Sequence, residues 1–152
     1  ALVELLQQMG YKVILNPNES DNAGCCSEYY DVSYIKKGKE YKADAEVREG
    51  WWHNGRCHIG FDEISQPARK FRTDYDIVNF LFSFSDDLNG VYIIDKAKVQ
   101  KAMESKDSRV QIIEKYAHGQ FEPFIYINRE SQGELFYYFV KGDGGKWEKR
   151  KD

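Results

Sequence analysis

The chain has 152 residues, 41% hydrophobic and 15% aromatic, with a formal net charge of −3 at pH 7. That length fills one sizeable core rather than two, so residues 1–141 are expected to form a single domain, with 142–152 a charged flexible tail. No stretch of the sequence approaches the ~20 consecutive apolar residues needed to span a bilayer. The acidic balance also argues against bulk attraction to nucleic acid, although a local basic patch can outweigh the average.

Leu2, Val3, Leu5, Leu6 and Met9 recur at helical spacing and Gly10 supplies a stop, which predicts a first helix. Residues 11–15 read as a short strand, and residues 16–24 are rich in turn formers. Residues 29–35 and 41–48 read as a hairpin turned by Lys36-Lys37-Gly38-Lys39. Residues 50–58 form an aromatic, polar excursion. The most apolar run, 76–85, and the segment 91–94 read as central buried strands separated by the turn Asp86-Asp87-Leu88-Asn89-Gly90. Asp95 is placed to cap a helix running to about Lys106, with Ala97, Val99, Ala102 and Met103 on its apolar side and Lys96, Lys98 and Lys101 in solvent. Residues 121–128 and 134–141, rich in Phe and Tyr, read as a final hairpin whose edge could meet a protein partner or a second copy in a homodimer. No leader or anchor pattern opens the chain, and Cys25, Cys26 and Cys57 do not make a disulfide framework. A cytoplasmic setting, without membrane association, is the expectation.

Alternation along residues 41–48 sets Lys42, Asp44, Glu46 and Arg48 on one face, a row of charges where a core would be expected. Asp31 opens the preceding strand-like run and could lie beside Glu46 across the hairpin. Clustered carboxylates repel unless a cation joins them, so Asp31, Asp44 and Glu46 suggest a hard divalent ion, Mg²⁺ or Mn²⁺, over a phosphate substrate. A solvated outer face with mutual ion pairing is the competing reading.

The order helix, strand, Asp31-initiated hairpin and then, after fourteen intervening residues, Glu46-Val47-Arg48 resembles the PD-(D/E)XK nuclease superfamily. The segment Ile64-Ser65-Gln66-Pro67-Ala68-Arg69-Lys70, followed by Tyr75-Asp76-Ile77, is similar to small phage-type nucleases. The resemblance implies an α/β (α+β), restriction-endonuclease-like fold, a mixed central sheet flanked by helices, here with an added C-terminal β-hairpin. It implies a Mg²⁺-dependent DNA endonuclease in which Asp31 and Glu46 bind metal, Asp44 adds to that shell, and Glu4 matches the acidic residue some members contribute from the first helix. The departure is Arg48 where the family has Lys. Guanidinium can hold a phosphate but cannot act as a base. Lys42 or Lys70 could supply the missing ammonium; otherwise the chain would bind nucleic acid or a protein partner without cutting.

Gln66, Arg69 and Lys70 could contact the substrate, the basic pair at backbone phosphates, or could form a solvated helix end. Trp51, Trp52 and His53 could stack on exposed bases, with core packing as the alternative. Cys25, Cys26, His53, Cys57 and His58 include enough ligand types for zinc, but their spacing fits buried thiols better. His118 reads as a surface turn residue. No phosphate-loop or dinucleotide glycine pattern is present.

Overall fold

The computed structural model describes residues 2–15, 32–48, 52–53, 56–57, 63–71, 78–85, 87–117 and 119–150. Among them are two α-helices, α1 (Leu2–Gln8) and α2 (Lys96–Glu104). The strands are β1 (Lys12–Leu15), β2 (Val32–Lys36), β3 (Lys39–Arg48), β4 (Trp52–His53), β5 (Arg56–Cys57), β6 (Glu63–Pro67), β7 (Phe80–Ser85), β8 (Gly90–Asp95), β9 (Val110–Ala117), β10 (Gln120–Asn128), β11 (Phe136–Lys141) and β12 (Trp147–Arg150). A 3-10 helix, Ala68–Phe71, continues directly from β6.

Seven strands form one curled sheet in the order β1-β2-β3-β7-β8-β11-β12, three form a second in the order β6-β10-β9, and β4 and β5 make a two-stranded ribbon. Every pairing in the large sheet is antiparallel except that of β3 with β7. A parallel pair requires a crossover connection, and here the crossover contains β6 and its 3-10 helix.

The large sheet packs on both faces. One face carries Tyr34, Ala43, Phe82, Phe84 and Ile93 beneath Leu5 and Leu6 of α1. A helix of seven residues is too short to be stable alone. Burial of Leu5 and Leu6, at about 1.5–3 kcal/mol each, holds it in place. The other face carries Leu81, Tyr92, Ile94 and Phe136 against Ile125 and Ile127 of β10 and Val99 and Ala102 of α2.

This arrangement overturns the expected α/β, restriction-endonuclease-like fold with its helix-flanked sheet. The chain is mostly β, and its two helices among the described residues are too short to flank a seven-stranded sheet; a second sheet covers much of one face instead. The expected C-terminal hairpin is not formed either. β10 pairs with β9 and β6, whereas β11 pairs with β8 and β12, so the two aromatic runs belong to different sheets. Where a flexible tail was expected, β12 extends the large sheet. Trp147 is buried edge-on to Phe84, with ring centroids 6.1 Å apart, and its backbone N–H and C=O bond to the Gln8 amide at 3.1 and 3.0 Å.

Local chemistry explains the elements that were anticipated. Lys37 and Gly38 both have positive φ, 51° and 78°, the requirement of the tight turn that matches strand twist in a two-residue hairpin. Asp95 caps α2 by accepting a hydrogen bond from the Lys98 backbone N–H at 3.2 Å. Lys96 differs from expectation: it is buried rather than solvated. No helix among the described residues is long and apolar enough to cross a membrane.

Candidate functional site

β3 lies between β2 and β7, and its alternation sends Ala43 and Ala45 toward α1 and Asp44 and Glu46 to the opposite face. Those carboxylates do not form a solvated row. β6 and the 3-10 helix bring Gln66 and Lys70 to them, leaving the Asp44 and Glu46 side chains 16% and 31% exposed. Lys70 Nζ lies 3.0 Å from Glu46 Oε2 and 3.7 Å from Asp44 Oδ2. The other Glu46 oxygen, Oε1, accepts from Gln66 Nε2 at 2.8 Å and from the Ser83 hydroxyl at 3.3 Å. Gln66 also donates to Ser83 Oγ at 2.6 Å, and Ser83 stands directly opposite Glu46 in the β3–β7 register.

The physical logic is compensation. A half-buried carboxylate is costly unless paired and hydrogen-bonded, and charge-assisted bonds are the strong ones. Glu46 is held at both oxygens, so its orientation is fixed before any ligand arrives. Gln66 is 1% exposed, and its Oε1 is buried without a hydrogen-bond partner. Turning the amide over would set that oxygen against the Glu46 carboxylate, so the donor faces Glu46 and the acceptor stays unused.

Asp44, Glu46, Gln66 and Lys70 are therefore brought together. Lys42 shares their face but pairs with Glu40 at 3.9 Å. Arg69 is exposed and pairs with Glu122 at 3.6 Å. Glu4 is not part of the group: it sits on α1, across the sheet, and pairs with Lys141 at 3.1 Å. Arg48 ends β3 opposite Ser85, and its side chain lies outside the described residues. Asp31, Cys25, Cys26, Trp51, His58 and His118 also lie outside them, as do the side chains of Trp52, His53 and Cys57. Ser83 was missed by sequence reading. Its signal was available: a hydroxyl in the middle of the apolar run Phe80-Leu81-Phe82-Ser83-Phe84 must find a partner inside.

Among the described residues no group of three or more His, Cys, Asp or Glu side chains converges as for a metal ion. The pair Asp44 and Glu46 nevertheless fits Mg²⁺, which is commonly held by one or two carboxylates with water and substrate phosphate completing its shell. Both already reach a single cationic centre, the Lys70 ammonium. No protein-family model, curated protein or solved structure matches the chain.

Proposed function

We propose that the chain is a divalent-metal-dependent hydrolase of phosphodiester bonds in DNA, with Asp44 and Glu46 as the Mg²⁺ or Mn²⁺ ligands and Lys70 as the catalytic ammonium. The observation that carries this reading is the convergence of Lys70 from the crossover segment on both carboxylates of β3. It answers the main chemical objection raised by the sequence, the guanidinium of Arg48 in place of an ammonium. Function resides in the site rather than in the fold, so an unexpected architecture does not remove the chemistry.

In this mechanism Gln66 and Ser83 hold Glu46 Oε1 in one orientation, leaving Oε2 and Asp44 to face the cation. With a divalent ion held by Asp44 and Glu46, the Lys70 ammonium would be left to donate to a phosphate oxygen or to water beside it. Arg69, exposed one residue earlier, pairs with a neighbouring backbone phosphate. When bound, the divalent ion supplies charge neutralisation at the phosphate and acidifies water.

The second reading, a silent protein that binds nucleic acid or a partner without cutting, is favoured by Lys70 itself, since its ammonium already bridges the pair and offsets one of its two charges. Purified chain incubated with supercoiled, linear duplex and single-stranded DNA in Mg²⁺, Mn²⁺ or EDTA separates the two. Metal-dependent cutting that disappears in Glu46→Ala and in Asp44→Asn supports the hydrolase; retained DNA binding without cutting in any metal supports the silent protein.

A further inference from the structure

β9 is an open edge of the three-stranded sheet: among the described residues β10 pairs with it on one side and no strand pairs on the other. Other sheet edges are blunted, as stable proteins need them to be. β1 is four residues long, β6 ends in Pro67, and β12 exposes Glu148, Lys149 and Arg150. β9 instead runs for eight residues with neither proline nor glycine. Residues 111–116 are all exposed, with Ile112 at 61% and Tyr116 at 62%, and Phe121, opposite Tyr116 on β10, is 71% exposed. The Tyr116 and Phe121 rings meet edge-on, 5.2 Å apart, and make an apolar tip in solvent.

The ladder fixes what this edge offers. The Asn128 N–H donates to the Arg109 carbonyl at 2.7 Å, a pair that continues the β9–β10 register. Bonding to one neighbour alternates along an antiparallel strand, so Gln111, Ile113 and Lys115 also turn their backbone groups to β10. Pro123, which has no N–H, accordingly stands opposite Glu114, at a position that does not bond. Val110, Ile112, Glu114 and Tyr116 therefore present their N–H and C=O groups to the open side. Val110 and Ile112 stand opposite Ile127 and Ile125, so this set of side chains lies on the core-facing side of the sheet and runs apolar, apolar, acidic, apolar. Lys115 is on the other side, held over the Phe124 ring at 5.1 Å.

Charge selects what pairs there. Neither Glu114 nor Lys115 makes an ion pair among the described residues. A second copy matches poorly. Two-fold pairing centred on Ile113, Glu114 or Lys115 sets Glu114 opposite or diagonal to the same residue of the copy, and pairing centred on Ile112 sets Lys115 opposite Arg109. A lipid surface matches no better, because the Glu114 carboxylate interrupts the apolar stripe. A strand with a basic residue opposite Glu114 and an acidic one opposite Lys115 satisfies both charges.

We infer that β9 is a docking edge for an extended segment of another protein, added antiparallel, with a basic residue opposite Glu114, an acidic one opposite Lys115 and apolar residues opposite Ile112 and Tyr116. Backbone hydrogen bonds supply the affinity, and the two charge pairs select the sequence. From N- to C-terminus the segment reads apolar, acidic, basic, apolar, apolar. The edge shares no side chain with the Asp44–Glu46 cluster and stands or falls independently of it.

Fluorescence anisotropy of the full chain in EDTA tests this with a labelled peptide whose core is Val-Glu-Lys-Val-Val. It should bind at least ~fivefold more tightly than the exchanged core Val-Lys-Glu-Val-Val. The double variant Glu114→Lys/Lys115→Glu should reverse that preference; both side chains are exposed, so the fold is retained. Amide hydrogen exchange then locates the peptide. Binding should slow exchange at Val110, Ile112, Glu114 and Tyr116 and leave Gln111, Ile113 and Lys115, already bonded to β10, unchanged. Equal affinity for the two cores, no reversal in the variant, no binding at ~1 mM peptide, or protection elsewhere overturns the assignment. Slowed exchange at the same four amides when the chain alone is concentrated also overturns it, in favour of a second copy.

Discussion

Replacing Lys70 with Met retains most of the aliphatic stem and removes the ammonium, so its effect isolates the charge. Lys70 is 18% exposed, bonds Glu46 at 3.0 Å and sits 3.7 Å from Asp44. A charge-assisted bond in this half-buried setting contributes about 1.5–3 kcal/mol, and its loss also removes the cation that lies between the like charges of Asp44 and Glu46. With some solvent reaching Glu46, the expected loss is about 2 kcal/mol. At roughly 2–4 °C per kcal/mol for a chain of this size, the Tm should fall by about 4–8 °C. Thermal and urea denaturation in EDTA measure it, and the double variant with Glu46→Gln gives the coupling between the two side chains. Mg²⁺ then provides a second reading. A divalent ion has no ammonium to displace in the variant, and for a dissociation constant of ~1 mM, 10 mM Mg²⁺ would restore about 1.4 kcal/mol. A loss below ~0.5 kcal/mol refutes the half-buried pairing. The same Mg²⁺ response in variant and parent refutes the shared cation position.

Three further outcomes follow from the fold. Trp147→Ala should cost about 3–5 kcal/mol in urea denaturation, because the indole is buried against Phe84; a cost under ~1 kcal/mol would mean that β12 is not part of the core. Lys37→Asn should stabilise by about 0.5–1 kcal/mol, since Asn tolerates the positive φ of 51° and completes an Asn-Gly turn; unchanged or reduced stability would count against that turn geometry. Arg109 bonds Asp107 at 2.8 Å and Glu134 at 2.7 Å, holding the Asp107 carboxyl down to about 2, from an ordinary 3.8. A depressed folded-state value contributes stability above the unfolded value that is lost as pH falls through the folded one, so the stability gap between the parent and Arg109→Gln should be level down to about pH 4 and close toward about pH 2.

The elements legible in the sequence were those with local causes: α1 from its apolar spacing, the β2–β3 hairpin from its Lys-Gly turn, and α2 from the Asp95 cap. β9 was not, because Ile112, Ile113 and Tyr116 are all exposed and leave no buried alternation to read. The supposed hairpin of β10 and β11 failed for a different reason. Both strands have buried alternate residues, and adjacency in sequence favours pairing, but the 3-10 helix Arg129–Ser131 carries the chain from one sheet to the other. In the candidate site, alternation along β3 identified Asp44 and Glu46 sharing a face, and Lys70 was one of two lysines considered. The choice between them depended on where the crossover lies over the sheet, which no spacing rule reveals. The lysine-rich turn was read for its geometry alone; that Lys36 and Lys39 lie over the Tyr11 and Tyr41 rings depends on pairing across three strands, which puts Tyr11, Tyr34 and Tyr41 on one face.

β3 carries different chemistry on its two faces, sending Tyr41 to the side of α1 and Asp44 and Glu46 to the other, and its two ends are anchored differently. Residues 43–48 are in register with β7, whereas Lys42 lies just beyond that ladder and is held by Asn79. Its N–H donates to Asn79 Oδ1 at 2.8 Å, and its carbonyl accepts the Asn79 N–H at 2.8 Å. The Asn79 carbonyl accepts from the Lys96 N–H at 3.2 Å, so one residue joins β3 to the start of α2. Asn79→Ala removes the side-chain bond at a cost of about 1 kcal/mol and loosens the chain next to Tyr41, while the β7 ladder continues to fix Asp44 and Glu46. Stability in urea denaturation should therefore fall by about 1 kcal/mol, with any Mg²⁺ response at Asp44 and Glu46 the same as in the parent. A Mg²⁺ response altered along with the stability would show that the faces are not independent and that β3 moves as one rigid unit.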